Sequence, residues 1–135
     1  MSDKPTYSVG SIAWHDLAVA DAPRVRDFYK AVVGWSDSAV PMNGDGKKYD
    51  DYGMHDPSSG EMIAGVCHAR GTNADLPPQW LMYVVVANVN DSIAACKRLG
   101  GKVIAGPRGL MGGTFCVVQD PAGAVIALWQ TGGAQ

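Results

Sequence analysis

No apolar run in the sequence approaches the roughly 20 residues that a membrane span requires, so no membrane partner is expected. There is no excess of positive charge: 11 Lys and Arg stand against 13 Asp and Glu, a net charge of −2. A chain without a basic field has nothing to attract phosphate backbones or anionic lipid, so no nucleic-acid partner is expected. The first residues, Met1-Ser2-Asp3-Lys4-Pro5, lack the charged-then-apolar order of a secretory signal, and a cytoplasmic protein is expected. Cysteine is scarce and odd in number. Cys67, Cys96 and Cys116 are unclustered and lie in apolar segments, which reads as buried reduced thiols, not a disulfide framework or a metal site. Also missing are a phosphate-cradling glycine loop, a nucleophile elbow and an H-E-x-x-H helix.

What is present is an ordinary globular balance, 47% hydrophobic and 18% charged over 135 residues. A single domain of this length buries a full core. Ser11 to Val19 reads as a strand. Asp21 and Pro23 open a helix as cap and first-turn residue, and Val25, Phe28, Tyr29 and Val32 give it an apolar face. Gly34 ends it. Residues 43–48 and 56–60 are polar turns, and Glu61 to His68 is a strand. Residues 69–78 show no apolar period and read as a linker.

A similar order follows. Trp80 to Val89 is rich in β-branched and aromatic residues and predicts a strand. Asn90-Asp91-Ser92 caps a second helix, stopped by Gly100-Gly101. A short strand covers 102–105, a glycine-rich loop 106–113, a strand 114–119, a turn 120–123 and a last strand 124–130. A shift of 70 positions lays Val19 on Val89 and Asp21 on Asp91. Asp56-Pro57-x-x-Gly60-x-x-Ile63-Ala64 matches Asp120-Pro121-x-Gly123-x-x-Ile126-Ala127. Together the two matches predict an internal repeat.

The pattern Asp21-Ala22-Pro23 … Asp27-Phe28-Tyr29 … Gly34-Trp35, with Gly106-Pro107 … Gly112-Gly113-Thr114-Phe115 … Gln119-Asp120-Pro121-Ala122-Gly123 … Trp129, resembles the vicinal-oxygen-chelate superfamily of glyoxalases, bleomycin-resistance proteins and extradiol dioxygenases. The resemblance covers roughly residues 8 to 131. It implies an α+β fold in a single domain, residues 1–135: two tandem βαβββ modules forming a cup-shaped mixed sheet with helices outside. Module one spans about 8–68, the linker about 69–78 and module two about 79–131. It also implies a homodimer.

In metal-using relatives, four side chains on the cup face hold one divalent ion, which acts as a Lewis acid. The corresponding positions here are Trp14, Ala64, Val84 and Ala127. None offers a lone pair to a metal, and a one-residue slip to His15 and Gly65 leaves three of the four empty. Neither metal nor other cofactor is expected. The expected function is therefore metal-free binding of a hydrophobic or aromatic small organic ligand.

Alternation from the marked positions puts Ile12, Asp16 and Ala18 inward with Trp14. Met62, Val66 and His68 go with Ala64, Met82, Val86 and Asn88 with Val84, and Val125 and Trp129 with Ala127. The expected ligand-binding residues are Trp14, Asp16, Met62, His68, Val84, Phe115 and Trp129. The candidate catalytic residues are Asp16 and His68. Asp16 is a general base or ligand anchor in an apolar cup, or else it is solvated at a rim or paired with an arginine. The alternative is an enzyme of the lyase, isomerase or dioxygenase type. It would be metal-independent through Asp16, or would use displaced ligands drawn from His15, Asp16, Glu61 and His68.

Overall fold

A computed structural model describes residues 7–44 and 46–132. The terminal segment Met1-Ser2-Asp3-Lys4-Pro5 and position 45 of the expected 43–48 turn lie outside them. The element order is β1 (Ile12–Val19), α1 (Ala22–Val33), β2 (Ser36–Gly44), β3 (Lys47–His55), β4 (Met62–His68), a 3-10 turn (Gly71–Asn73), β5 (Leu81–Val85), α2 (Val89–Arg98), β6 (Lys102–Leu110), β7 (Gly113–Gln119) and β8 (Val125–Gln130). This is the mixed α+β class expected. The chain forms two compact units, one of residues 14–80 and one of residues 1–13 with 81–135.

In the unit 14–80, β2 pairs antiparallel with β3 and β3 with β4, and β4 pairs parallel with β1. Helix α1 starts where the Asp21 side chain accepts the Arg24 N–H, with Pro23 beside it. It stops at Gly34, whose φ of 91° is a left-handed turn open to glycine at little cost. Its first turn buries Ala22 against Met54, Ala64 and Val66, with Val19, Val25, Tyr29, Tyr52 and Trp80 packed around them. Ion pairs from Lys30 and Arg26 to Asp37, at 2.8 and 3.8 Å, tie α1 to the start of β2.

In the other unit, β6 pairs antiparallel with β7 and β7 with β8, and β8 pairs parallel with β5. Backbone hydrogen bonds also join Gly10 and Ser11 to Val85. Val89 of α2 packs on Cys116 and Val118, with Val86, Ile93, Ile126 and Leu128 alongside. Asp120 accepts the N–H groups of Ala122 and Ala124, closing the expected turn before β8.

Several boundaries differ from the sequence reading. The β-branched run expected to be strand through Val89 leaves the sheet at Val85. Asn88, not Asn90-Asp91-Ser92, caps α2: its extended backbone lets its side chain accept the Asp91 N–H at 3.0 Å. Residues 106–110, expected in a loop, belong to β6. The pairing survives because the register slips twice between Val103 and Arg108, letting the glycine-bearing stretch bend while staying paired.

Candidate functional site

Within the unit 14–80, strand alternation gives β1 two unlike sides. Leu17 and Val19 turn to α1, where they line a groove with Val25, Phe28 and Tyr29. Trp14, Asp16 and Ala18 point the opposite way. Asp16 pairs with Gly65 of β4, and Gly65 with Gly53 of β3, so two glycines continue the row that the aspartate begins. Their missing side chains leave room that neighbouring side chains occupy. A Cβ at Gly65 would collide with the Asp16 carboxylate, and one at Gly53 with the Met62 thioether. Asp16 and Met62 thus lie over a floor of bare backbone, on one face.

Asp16 is fixed from the side. The Trp14 indole N–H donates to its Oδ1 at 2.7 Å. Burial pushes the Asp16 carboxyl up to about 6, the Trp14 hydrogen bond working against the shift and the Asp51 charge adding to it. Asp51, on β3, is buried and accepts the His68 backbone N–H at 2.8 Å. Burial raises its carboxyl too, opposed by that hydrogen bond, the His68 charge and the Cys67 thiol. Cys67 is held far up as a neutral thiol by burial and then by the two carboxylates, so it offers neither nucleophile nor thiolate ligand.

The sequence-derived site residues divide accordingly. Trp14, Asp16 and Met62 come together. Met62 reaches this face because the β3–β4 register shifts between Met54 and His55, which turns the strand by one residue. Ala64 and Val66, expected inward with it, instead pack beneath α1. His68 is not brought to Asp16; its ring meets Tyr49 edge-on at 5.4 Å and Tyr52 at 6.1 Å. Asp51, Gly53 and Gly65 were missed as site residues. The alternation of Tyr49, Asp51 and Gly53 along one side of β3 was the available signal.

In the other unit, Val84 was assigned to the face of Trp129, and this is corrected. Val84 pairs with Leu128, which packs beneath α2 with Val86, so Val84 lies on the helix side. Tyr83 pairs with Ala127 and Val85 with Trp129 instead. Phe115, opposite Trp129, is fully buried beside the Tyr83 ring and acts as core. The Trp129 N–H donates to the Leu110 carbonyl at 3.0 Å, and Tyr7 meets its ring edge-on.

Among the described residues no three His, Cys, Asp or Glu side chains are grouped to hold a metal ion. His15 is exposed, Glu61 precedes β4 at the surface, and they join neither Asp16 nor His68 in such a group. No helix among the described residues is long and apolar enough to cross a membrane.

Comparison with known proteins decides the family. The model of the Glyoxalase/Bleomycin resistance protein/Dioxygenase superfamily matches residues 10–128. The chain belongs to this superfamily. This glyoxalase-superfamily chain is 29% identical over 139 residues to the anthracycline biosynthesis protein DnrV of Streptomyces peucetius, covering 93% of the chain and 49% of that protein. It is 29% identical over 133 residues to the putative glyoxylase CFP32 of Mycobacterium bovis, covering 96% of the chain and 49% of the relative. It thus spans about half the length of these curated relatives.

Among solved structures, methylmalonyl-CoA epimerase from Mycobacterium tuberculosis superposes with a TM-score of 0.55 at 15% identity, covering 95% of this chain and 92% of that one. A Streptomyces coelicolor methylmalonyl-CoA epimerase variant in complex with 2-nitronate-propionyl-CoA superposes at 0.53 with 18% identity, covering 93% and 100%. These likenesses establish the fold.

Proposed function

We propose that this glyoxalase-superfamily chain binds a small organic molecule on the Trp14–Asp16 face of the unit 14–80, without a metal ion. The carrying observation is the row Asp16–Gly65–Gly53, in which one carboxyl group lies above side-chain-free backbone between Trp14 and Met62. An aromatic or aliphatic body packs on the indole and thioether, and a hydrogen-bond-donating group meets Asp16. Such a donor offsets the desolvation that raises the carboxyl. Solved relatives of the same fold hold small organic ligands, among them 2-nitronate-propionyl-CoA.

The test is a magnetic-resonance titration of the Trp14 indole N–H with tryptamine, an indole bearing a donor group. Trp14→Phe assigns the resonance. The expected result is a saturable shift that Asp16→Asn abolishes. Tryptamine leaving the Trp14 signal unmoved would overturn the reading.

A second reading is favoured by the position of the Asp16 carboxyl near 6. A base so placed is ionised at neutral pH yet strong enough to accept a proton from an activated carbon. Here Asp16 abstracts a proton α to a carbonyl and returns it, with no covalent intermediate. The measurement is solvent deuterium incorporation into a phenylacetyl thioester, expected to rise with pH to a plateau above about 6 and to vanish in Asp16→Asn. A rate unchanged by that substitution sinks it.

A further inference from the structure

The row that begins at Asp16 crosses four neighbouring strands: Asp16 on β1, Gly65 on β4, Gly53 on β3 and Ser38 on β2. At the usual strand spacing it is about 14 Å long. Both glycines are buried although neither has a side chain, so each is covered by a neighbour. Over Gly65 the cover is the Asp16 carboxylate, which the Trp14 indole N–H holds at 2.7 Å. Over Gly53 it is the Met62 thioether: the first atoms a Cβ there would meet are Met62 Cγ, Sδ and Cε. At the far end the Ser38 hydroxyl is tied to His55 Nε2 at 2.7 Å.

Given the ligand site proposed on this face, we infer that Met62 is its specificity-determining residue, a movable thioether wall above Gly53 that sets how far the ring system of a bound amine extends. Asp16 and Ser38 are polar groups held by hydrogen bonds. Met62 stands between them with an unbranched side chain, three rotatable bonds and no strong hydrogen-bonding group. It opens β4 beside the register shift and is 42% exposed, so it has solvent to swing into. A small amine anchored at Asp16 packs against the thioether. A longer one grows along the row toward Gly53, and Met62 is the neighbour that gives way. Once it has moved, the bare backbone of Gly53 becomes the floor of the added length.

Calorimetric titration of the full chain with tryptamine and with 5-benzyloxytryptamine, the same indole amine carrying a second ring, tests this. Wild type is expected to bind the larger amine at least about tenfold more weakly, the size of penalty one misfitting group meets at a pocket wall. Met62→Ala removes Cγ, Sδ and Cε and is expected to erase that preference. Adding Gly53→Ala to Met62→Ala puts a methyl group into the vacated space and is expected to restore at least part of it. The ratio of the two affinities is read within each variant, so a general loss of stability does not move it. Tryptamine binding with no preference in wild type, or with a preference that Met62→Ala leaves unmoved, overturns the role of Met62 and leaves the Asp16 site standing. A double variant that behaves like Met62→Ala alone also overturns it. Wild type that binds neither amine overturns the site and the role of Met62 together.

Discussion

Replacing Asp16 by Asn removes a charge while keeping a carbonyl oxygen for the Trp14 N–H. The carboxyl is raised from 3.8 to about 6 in the folded protein, chiefly by burial. The folded state therefore holds its proton more tightly than the unfolded chain does. The stability this contributes is complete below about 4 and is lost as pH rises through 6. A shift of about two units corresponds to about 3 kcal/mol. Asn does not titrate, so the stability of Asp16→Asn minus that of wild type is expected to rise by about 3 kcal/mol between pH 3.5 and pH 7.5. Urea unfolding of both proteins at the two pH values measures it, with equal slopes confirming that the same surface unfolds. Asp51 is also raised and faces Asp16, so its titration is present in both proteins and cancels to first order. A stability difference that is flat with pH, or falls, refutes the claim that burial of the ionised Asp16 is costly.

Gly65→Ala places a methyl group against the Asp16 carboxylate. It is expected to cost about 1–3 kcal/mol by displacing a packed group, and to weaken tryptamine binding; full affinity in calorimetry would contradict the glycine floor. Gly34→Ala meets no atoms but must hold φ at 91°, so a loss of about 1 kcal/mol is expected from backbone strain alone, read by thermal unfolding. Cys116 is fully buried and its thiol is pushed up to about 11. It is expected to resist a disulfide reagent at pH 8 in the folded protein and to react fully in denaturant; rapid labelling of Cys116 in the folded state would contradict this core.

Local chemistry was readable in the sequence. Asp21, Pro23 and Gly34 bound α1 where they stand because caps act within one turn. The polar turn after Asp120 closes on its own side chain in the same way. Side-chain facing was less accessible. A one-residue offset reversed the facing of Ala64 and Val66 on β4 and of Val84 on β5: they lie on the helix side, while Gly65 and Tyr83 take the opposite one. The turn that brings Met62 beside Asp16 comes from a register slip against His55, a property of two strands together. Asp16 stood out as a lone carboxylate among apolar residues. Asp51 did not, because its burial depends on meeting the His68 backbone, 17 positions away.

The most direct measurement is a calorimetric titration of tryptamine into the protein at pH 7.5 with a metal chelator present. Saturable binding that survives the chelator and is lost in Asp16→Asn is the predicted result. Binding abolished by the chelator, or unaffected by Asp16→Asn, would contradict a metal-free site built on Asp16.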